Sequence, residues 1–472
     1  MLTSSPPPAA APRRGFIAKV YPFSTLPNPK EVWAWGMYDL ANQSFTLLII
    51  TLLFGPYFKN IVVGDETRGD SLWSIIAATS LALTVIASPI LGAIADHRRT
   101  KKKYLLGAGV VCSLLTCGLA LTGTGTVWLA ALLFIPANIA YNLGSNFMAS
   151  FLPTLATQRN MGRVSAIGWS MGYIGALLLL GITLGVMILF DRQAKEGWQP
   201  FFVFAGLWYA INMLPSALVL REPEGDSAPV EGGTLAGAAF RRLAHTARRA
   251  THFKQLFRFL VAFLVSSFGV QAMIKFAAVL AEDFGIKETG LVVFITQLTV
   301  TAVITAIATA RFQDRIGARA TVVIYNIVWL VSCLALFGVT IAWPHDKPQW
   351  VFWVIGNGIG IGLGGIGTAS RAMVGRFSPR ARTAEFFGLW GLTYTLAGAI
   401  GVLAFGQVKA WVGAWWAGLE LFGDSNTPAL ALLAAFFVAG LLLVLRVNET
   451  AGVRAARRED RDATRQRGTL AS

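Results

Sequence analysis

The chain is written as long apolar runs separated by short polar connections. A membrane-spanning helix needs about 20 mostly apolar residues. Twelve runs reach that length, over residues 33–58, 71–95, 104–122, 126–150, 163–190, 199–220, 256–281, 289–310, 320–342, 350–375, 385–408 and 427–446. The pattern predicts an all-α integral membrane protein with twelve transmembrane helices. One connection is long: residues 221–255 are polar and basic, and they break the chain six plus six. The expected organisation is a disordered tail over 1–30, a six-helix bundle over 31–220, a linker over 221–255, a second bundle over 256–446 and a basic tail over 447–472. Residues 1–30 are rich in proline (Pro6, Pro7, Pro8, Pro12, Pro22, Pro27, Pro29) and carry no apolar run of signal-peptide length.

Composition agrees with this reading. Hydrophobic residues make up 55% of the chain and charged residues only 14%, against about 25% charged in soluble domains. The net charge of +16 by itself suggests nucleic acid. The distribution argues otherwise. With the N-terminus placed in the cytoplasm, the great majority of the 40 Lys and Arg fall on the cytoplasmic side. They cluster at Arg98–Lys103, Arg241–Lys254, Arg371–Arg382 and beyond Arg446. This is the positive-inside pattern, and it predicts both termini in the cytoplasm. Anionic membrane lipid is then a sufficient partner for the basic tail, and no nucleic acid is expected. The four His lie outside the apolar runs, and Cys112, Cys117 and Cys333 lie inside them without metal-type spacing. No metal or cofactor is expected. No nucleophile–base pair or metal cluster stands at a membrane boundary, so the chain does not read as an enzyme.

Asp39 is the most informative residue. It lies six residues into the first run, roughly 9 Å from the inner surface at 1.5 Å per residue. Intramembrane carboxylates are costly and usually face a cavity or a partner. Asn42 and Gln43 follow at i+3 and i+4, which places them on the same face. Two readings stand. Asp39 is a cavity-lining acid for a cation, a proton or an amino group, or it is a structural acid bonded to a neighbouring helix. Lys275, with Gln271 one turn below, is the one basic residue placed well inside a run. It either snorkels to the surface or supplies a counter-charge for an anionic substrate. Asp39 and Lys275 each lie roughly 9 Å from opposite surfaces of a core about 30 Å thick. That spacing suits bracketing a zwitterion better than direct pairing. Asn138, Tyr141, Asn142 and Asn146 form a polar stripe at helical spacing, read equally as cavity lining or as interhelical glue. Gly360, Gly362 and Gly365 match a dinucleotide-binding pattern, but they fall inside an apolar run with no preceding strand. With Gly356 and Gly364 they read as close helix packing.

The two halves look related. The second run ends in GAIADHRRTKKKY (Gly92–Tyr104) and the eighth in ARFQDRIGARAT (Ala310–Thr321), each with an acid followed by basic residues. A six-helix unit repeated once across a long linker resembles the major facilitator superfamily, whose substrate site lies between the halves and whose halves rock to alternate access. WAWGMYDLANQSF, GAIADHRRTKKK, NFMASFLPTLA, RVSAIGWSMGYIG and SRAMVGRFSPRARTAEFFGLWGL narrow the resemblance to the vacuole-effluxer branch, whose fungal members export amino acids from the vacuole and which has many bacterial relatives. Two positions depart from that branch. Phe268 stands before Gly269 where the branch usually has an acid, and no Gln lies near Gly367.

The resemblance implies a secondary transporter in a bacterial cytoplasmic (inner) membrane, expected to be monomeric. It implies a small polar solute, amino acids first, with coupling to protons or another ion. It assigns gating to Asp96, with Gly92 allowing close helix approach and Arg99 in the basic run after it. Asp96 is expected at the start of helix 11 and Asp314 at the start of helix 5, near Arg163, where a carboxylate is favoured by the helix N-terminus. Arg371 and Glu385, flanking the turn between helices 10 and 11 with Arg376, Arg380 and Arg382, are expected to form a cytoplasmic charge network. Trp169, Tyr173, Asn357, Trp390 and Tyr394 are further candidates for the substrate pathway. The absent acid at Phe268 keeps open a competing reading, a transport-inactive sensor or scaffold on the same fold.

Overall fold

The computed structural model describes residues 23–26, 28–156, 161–222, 235–286, 289–379, 382–419 and 423–471. Among the described residues, twelve helices are long and apolar enough to cross a membrane. They are numbered here as spans 1 to 12: Pro29–Val63, Glu66–Ala95, Lys101–Leu121, Val127–Ser150, Val164–Leu189, Gln199–Val219, Lys254–Lys275, Thr289–Gln313, Ala318–Ala342, Gln349–Phe377, Glu385–Gly418 and Thr427–Leu445. Spans 1 to 6 pack among themselves, and so do spans 7 to 12. The two bundles meet where span 2 lies along span 11 and span 5 along span 8.

Each bundle is held by a packed interior and turns apolar side chains outward. In the first bundle, Phe54 stacks on Phe134 at 5.4 Å, Trp73 meets Phe134 at 5.0 Å, and Phe202 closes edge-on against Phe54 and Tyr57. Aromatic pairs in these geometries add about 0.5–1.5 kcal/mol each beyond their buried area. Leu114, Leu132, Ile211 and Leu218 are exposed on the outer surface, as lipid contact requires. In the second bundle, the glycine run of span 10 lets its neighbours close in. A Cβ at Gly360 would stand 3.0 Å from the Leu298 carbonyl of span 8, and one at Gly362 would stand 2.7 Å from the Trp329 indole of span 9. These contacts fit the packing reading of the glycines.

Several helix ends differ from the sequence expectation, for one reason. The apolar runs were cut at charges. Span 1 continues past residue 58 through Lys59, span 2 begins before residue 71 and takes in Asp70, and span 11 runs on past residue 408 through Lys409. These charges pair with one another and therefore stay inside. Span 1 carries π-helical turns over Ser44–Leu53 and Phe58–Val63, with Pro56 between them. Span 7 breaks at Phe276, and a short helix, Ala277–Asp283, follows.

The segments expected to be linker and tail also contain helices. Leu235–His252 is a linker helix lying against spans 2, 7 and 11, and Glu449–Ala471 is a C-terminal helix against spans 7 and 10. Of the N-terminal tail, residues 1–22 lie outside the described residues. The repeat is visible in two capping acids. Glu222, just past span 6, accepts from the Lys102 N–H at the start of span 3 at 3.0 Å. Glu449, just past span 12, accepts from Ala318 and Arg319 N–H at the start of span 9, at 3.2 and 2.9 Å, and pairs with Arg376 at 2.6 Å. Gly317, at φ +90°, turns the chain into that cap, and a Cβ there would lie 3.2 Å from Glu449 Oε2.

Candidate functional site

Asp39 faces span 5, and a glycine makes its place. A Cβ at Gly172 would stand 2.9 Å from Asp39 Oδ2 and 3.1 Å from Gln43 Nε2. Gln43 thus shares the Asp39 face. Asn42 does not. It is 3% exposed, accepts from Tyr209 Oη and reaches towards Met148 Sδ, inside the first bundle. The i+3 and i+4 positions straddle the Asp39 direction, and span 6 captures one of them.

Arg371 meets this region from the second bundle. Its guanidinium lies over the Trp169 ring of span 5 at 4.3 Å and near the Trp390 ring of span 11 at 5.4 Å. A cation over an indole face is attracted by the ring quadrupole. Trp169 leans on Tyr173 at 5.9 Å, Trp390 stacks on Tyr394 at 6.3 Å, and Phe263 backs both Trp390 and Tyr394. Asp39 and Arg371 lie within electrostatic range of one another. Tyr173 feels both charges, Tyr141 feels Asp39, and Tyr394 feels Arg371. The Trp390 indole N–H is buried without an acceptor among the described residues. A carboxylate, a guanidinium, aromatic faces and a spare donor therefore converge where spans 1, 4 and 5 meet spans 10 and 11. Such an arrangement can hold a small solute bearing opposite charges.

This corrects the expectation for Arg371. It turns inward to the two tryptophans, and no ion pair joins it to Glu385 among the described residues, outside which Arg380 lies. Arg376 and Arg382 pair instead with Glu449 and Glu459 of the C-terminal helix, at 2.6 and 3.1 Å. The helix 4 stripe mostly joins helices. Asn138, fully buried, donates to Ser80 at 2.6 Å, Asn146 donates to Ser88 at 2.9 Å, and Asn142 donates back to Asn138. Tyr141 alone of the stripe joins the charged cluster, accepting from Thr46 at 2.7 Å. Gln271 donates to the Tyr394 carbonyl at 3.2 Å. Lys275 is only 8% exposed and forms no ion pair among the described residues, so it does not snorkel out. Asn357 is exposed and accepts from Thr301, away from the cluster. Gly92 makes no close approach, since a Cβ there would meet open space. Arg99 is exposed, at φ +52°. The side chains of Asp96, Arg163 and Asp314 lie outside the described residues.

The sequence reading missed a second charged assembly, at the end of the molecule opposite the termini. Lys59 Nζ lies 3.5 Å from Asp70 and 3.3 Å from Asp283, and Lys409 Nζ lies 2.9 Å from Asp283 and contacts Asp70. These side chains are 3%, 4%, 16% and 4% exposed in the order Lys59, Asp70, Asp283, Lys409. Lys195 pairs with Glu282 at 2.7 Å beside them. Burial pushes Asp283 up, but the ammonium groups of Lys409 and Lys59 outweigh it and hold the carboxyl below its usual range. Burial pushes Glu282 up against the opposing pull of Lys195. The signal was available: Lys59, Asp70, Asp283 and Lys409 each stand within two residues of a predicted helix end.

This far end is shut. A Cβ at Gly398 would stand 2.9 Å from Leu81 of span 2, and one at Gly406 would stand 2.6 Å from Ser74 Oγ of span 2, whereas Gly388 and Gly391, nearer the termini on the same span, have open space. Spans 2 and 11 are thus tight at the far end and slacker towards the termini.

Comparison with known proteins fits this architecture. Residues 62–457 match the family model described as vacuole effluxer Atg22 like. A Bacillus subtilis protein called an uncharacterized MFS-type transporter, YxiO, is 23% identical over 440 residues, covering 89% of this chain and 96% of that one. Autophagy-related protein 22-1 of Aspergillus niger is 23% identical over 331 residues, covering 67% of this chain and 52% of the fungal protein. Among solved structures, a D-xylose–proton symporter superposes with a TM-score of 0.71 at 15% identity, covering 90% of this chain and 98% of that one.

Proposed function

This chain belongs to the vacuole effluxer Atg22-like family of major facilitator transporters, and from that premise we propose that it carries a small zwitterionic solute of the α-amino-acid class across a bacterial cytoplasmic membrane. The observation that carries the reading is that Asp39, held against Gly172 of span 5, and Arg371, lying over the Trp169 ring one turn away on that span, come from opposite bundles, with Trp390 and Tyr394 beside Arg371. Asp39 takes the ammonium group. Arg371, whose planar fork suits a carboxylate, takes the other end beside the free Trp390 N–H. Arg371 rather than Lys275 is the counter-charge, because Lys275 sits beyond Gln271 on the far side of Tyr394. Binding across the bundle boundary is what alternating access needs, since a solute held by both halves biases how they rock. Coupling to protons and cytoplasmic placement of both termini complete the reading. The basic clusters, on the same side as the termini, support that placement.

A thermal-shift screen of the purified protein against amino acids, sugars and nucleosides tests it, repeated on Asp39→Asn. Amino acids should raise the Tm of the parent and leave that of Asp39→Asn unchanged. Equal stabilisation of both forms, or a response to sugars alone, removes Asp39 from the site.

A further inference from the structure

We propose that Asp70 is a proton-binding site, and that a proton taken up there from the far-side solution releases the gate sealing that end. Calling the far side external rests on the transport reading above; the gate itself does not.

The four buried charges are arranged for opening. Lys59 and Asp70 belong to the first bundle, Asp283 and Lys409 to the second. Each bundle therefore owns one neutral pair, Lys59–Asp70 and Lys409–Asp283, and two cross pairs, Lys59–Asp283 and Lys409–Asp70, hold the bundles together. Separating the bundles breaks the cross pairs but strands no charge, because each half keeps its own pair. Stranding a charge is what makes broken buried ion pairs costly. Gly69 lets the end of span 1 come this close, since a Cβ there would stand 2.9 Å from Lys59 Cγ. Gln407 reinforces the seam, accepting from Ser71 Oγ at 3.1 Å and donating to Ser74 Oγ at 2.8 Å.

The two carboxylates are not equivalent. Asp283 presents one oxygen to each lysine; its Oδ2 lacks a hydrogen bond among the described residues but is held by the Lys409 ion pair at 2.9 Å. Asp70 gives Oδ2 to both lysines, while its Oδ1 is buried without a hydrogen-bond partner among the described residues. A proton can settle on that oxygen without displacing an existing contact. The step is simple: hydronium gives its proton to Asp70 Oδ1, the carboxylate becomes a neutral acid, and the quartet passes from neutral to one net positive charge. Lys59 and Lys409 then face each other across Asp283 alone, and the closed seam is opposed. Other charges nearby do not relieve this. Glu282 is engaged by Lys195 and Asn60. Lys275 forms no ion pair among the described residues, and Asp65, Glu66 and Arg68 at the start of span 2 are exposed to solvent.

The test reads the seam directly. A single reporter cysteine is placed by Ser74→Cys in a chain carrying Cys112→Ala, Cys117→Ala and Cys333→Ala, and the whole protein is labelled with a membrane-impermeant maleimide at pH 7.5 and 5.5. Rates are normalised to an exposed control, Glu66→Cys, to remove the intrinsic pH dependence of the thiol. The parent should label at least about tenfold faster at the lower pH. Asp70→Asn should label fast at both, and the neutral double variant Asp70→Asn/Lys409→Gln should label slowly at both. That double variant keeps the test decisive if Asp70→Asn alone fails to fold. A parent without pH dependence overturns the proposal. So does a pH response that survives in a folded Asp70-substituted form, or one that Asp283→Asn removes while Asp70→Asn does not. No solute is needed, so a negative result here leaves amino-acid binding untouched, and failure of amino-acid binding leaves this result standing.

Discussion

Arg371 and Asp39 have unequal tolerance for substitution. A guanidinium stacked between two indoles uses its flat faces for the rings and its edge for a carboxylate. Lysine keeps the charge but loses both features. Arg371→Lys should therefore weaken amino-acid binding by about tenfold, or roughly 1.4 kcal/mol, in a calorimetric titration. Trp390→Phe keeps an aromatic face beside Arg371 and removes the five-membered ring with its unpaired N–H, so it should cost less; a loss equal to that of Arg371→Lys would mean that the indole matters as much as the guanidinium. Asp39 was legible in the sequence because a carboxylate among apolar residues stands out. Arg371 was misjudged because it begins a run of arginines near the end of span 10. Arg376 and Arg382, in that same run, do go to surface pairs with the C-terminal helix. Nothing in their spacing tells which one finds two tryptophans from other spans.

At the scale of the element, polar residues inside spans serve mainly as joints. Asn138 to Ser80 and Asn146 to Ser88 tie span 4 to span 2 at successive levels. Measured interhelical hydrogen bonds in membranes average about 0.6 and reach about 1.7 kcal/mol. Asn138→Ala should lower stability within that range, with ligand affinity kept, as a denaturation curve with and without ligand would show. The cap on span 9 has a pH signature. Burial alone would raise Glu449, but the Arg319 and Ala318 N–H groups and Arg376 outweigh it and lower its pKa. A group lowered on folding contributes stability above its unfolded value, near 4.3, and loses that contribution as pH falls through the folded value. Glu449→Gln should lower Tm at neutral pH and narrow the gap to the parent below about pH 4. The stripe was legible as a choice between lining and glue; the choice itself depended on the serines of span 2.

At the scale of the molecule, the two bundles meet through a sealed far end and a slacker end near the termini. Ser71 of span 2 and Gln407 of span 11 hydrogen-bond across the seal at 3.1 Å. A disulfide between cysteines at these two positions should hold that end shut. Under oxidant, uptake or efflux of the identified solute in vesicles of the Ser71→Cys/Gln407→Cys variant should stop, and reductant should restore it. Continued transport with the disulfide formed would show that the far seam need not open.

Sequence alone determined the number of spans, their order, the six-plus-six repeat and the family likeness. Each of these rests on local properties: the length of an apolar run, or a motif of neighbouring residues. Asp39 was found the same way. What only the tertiary structure decided was which polar groups meet. Lys59, Asp70, Asp283 and Lys409 were left at helix ends because an isolated charge is costly in a membrane and reads as a boundary. Once three spans and the short helix after span 7 bring them within contact, the charges compensate one another and the spans run through Lys59, Asp70 and Lys409. Arg371 found its place over Trp169 for the same reason: the free energy of a buried charge is set by its partners, and Trp169 lies on another span, about two hundred residues away along the chain.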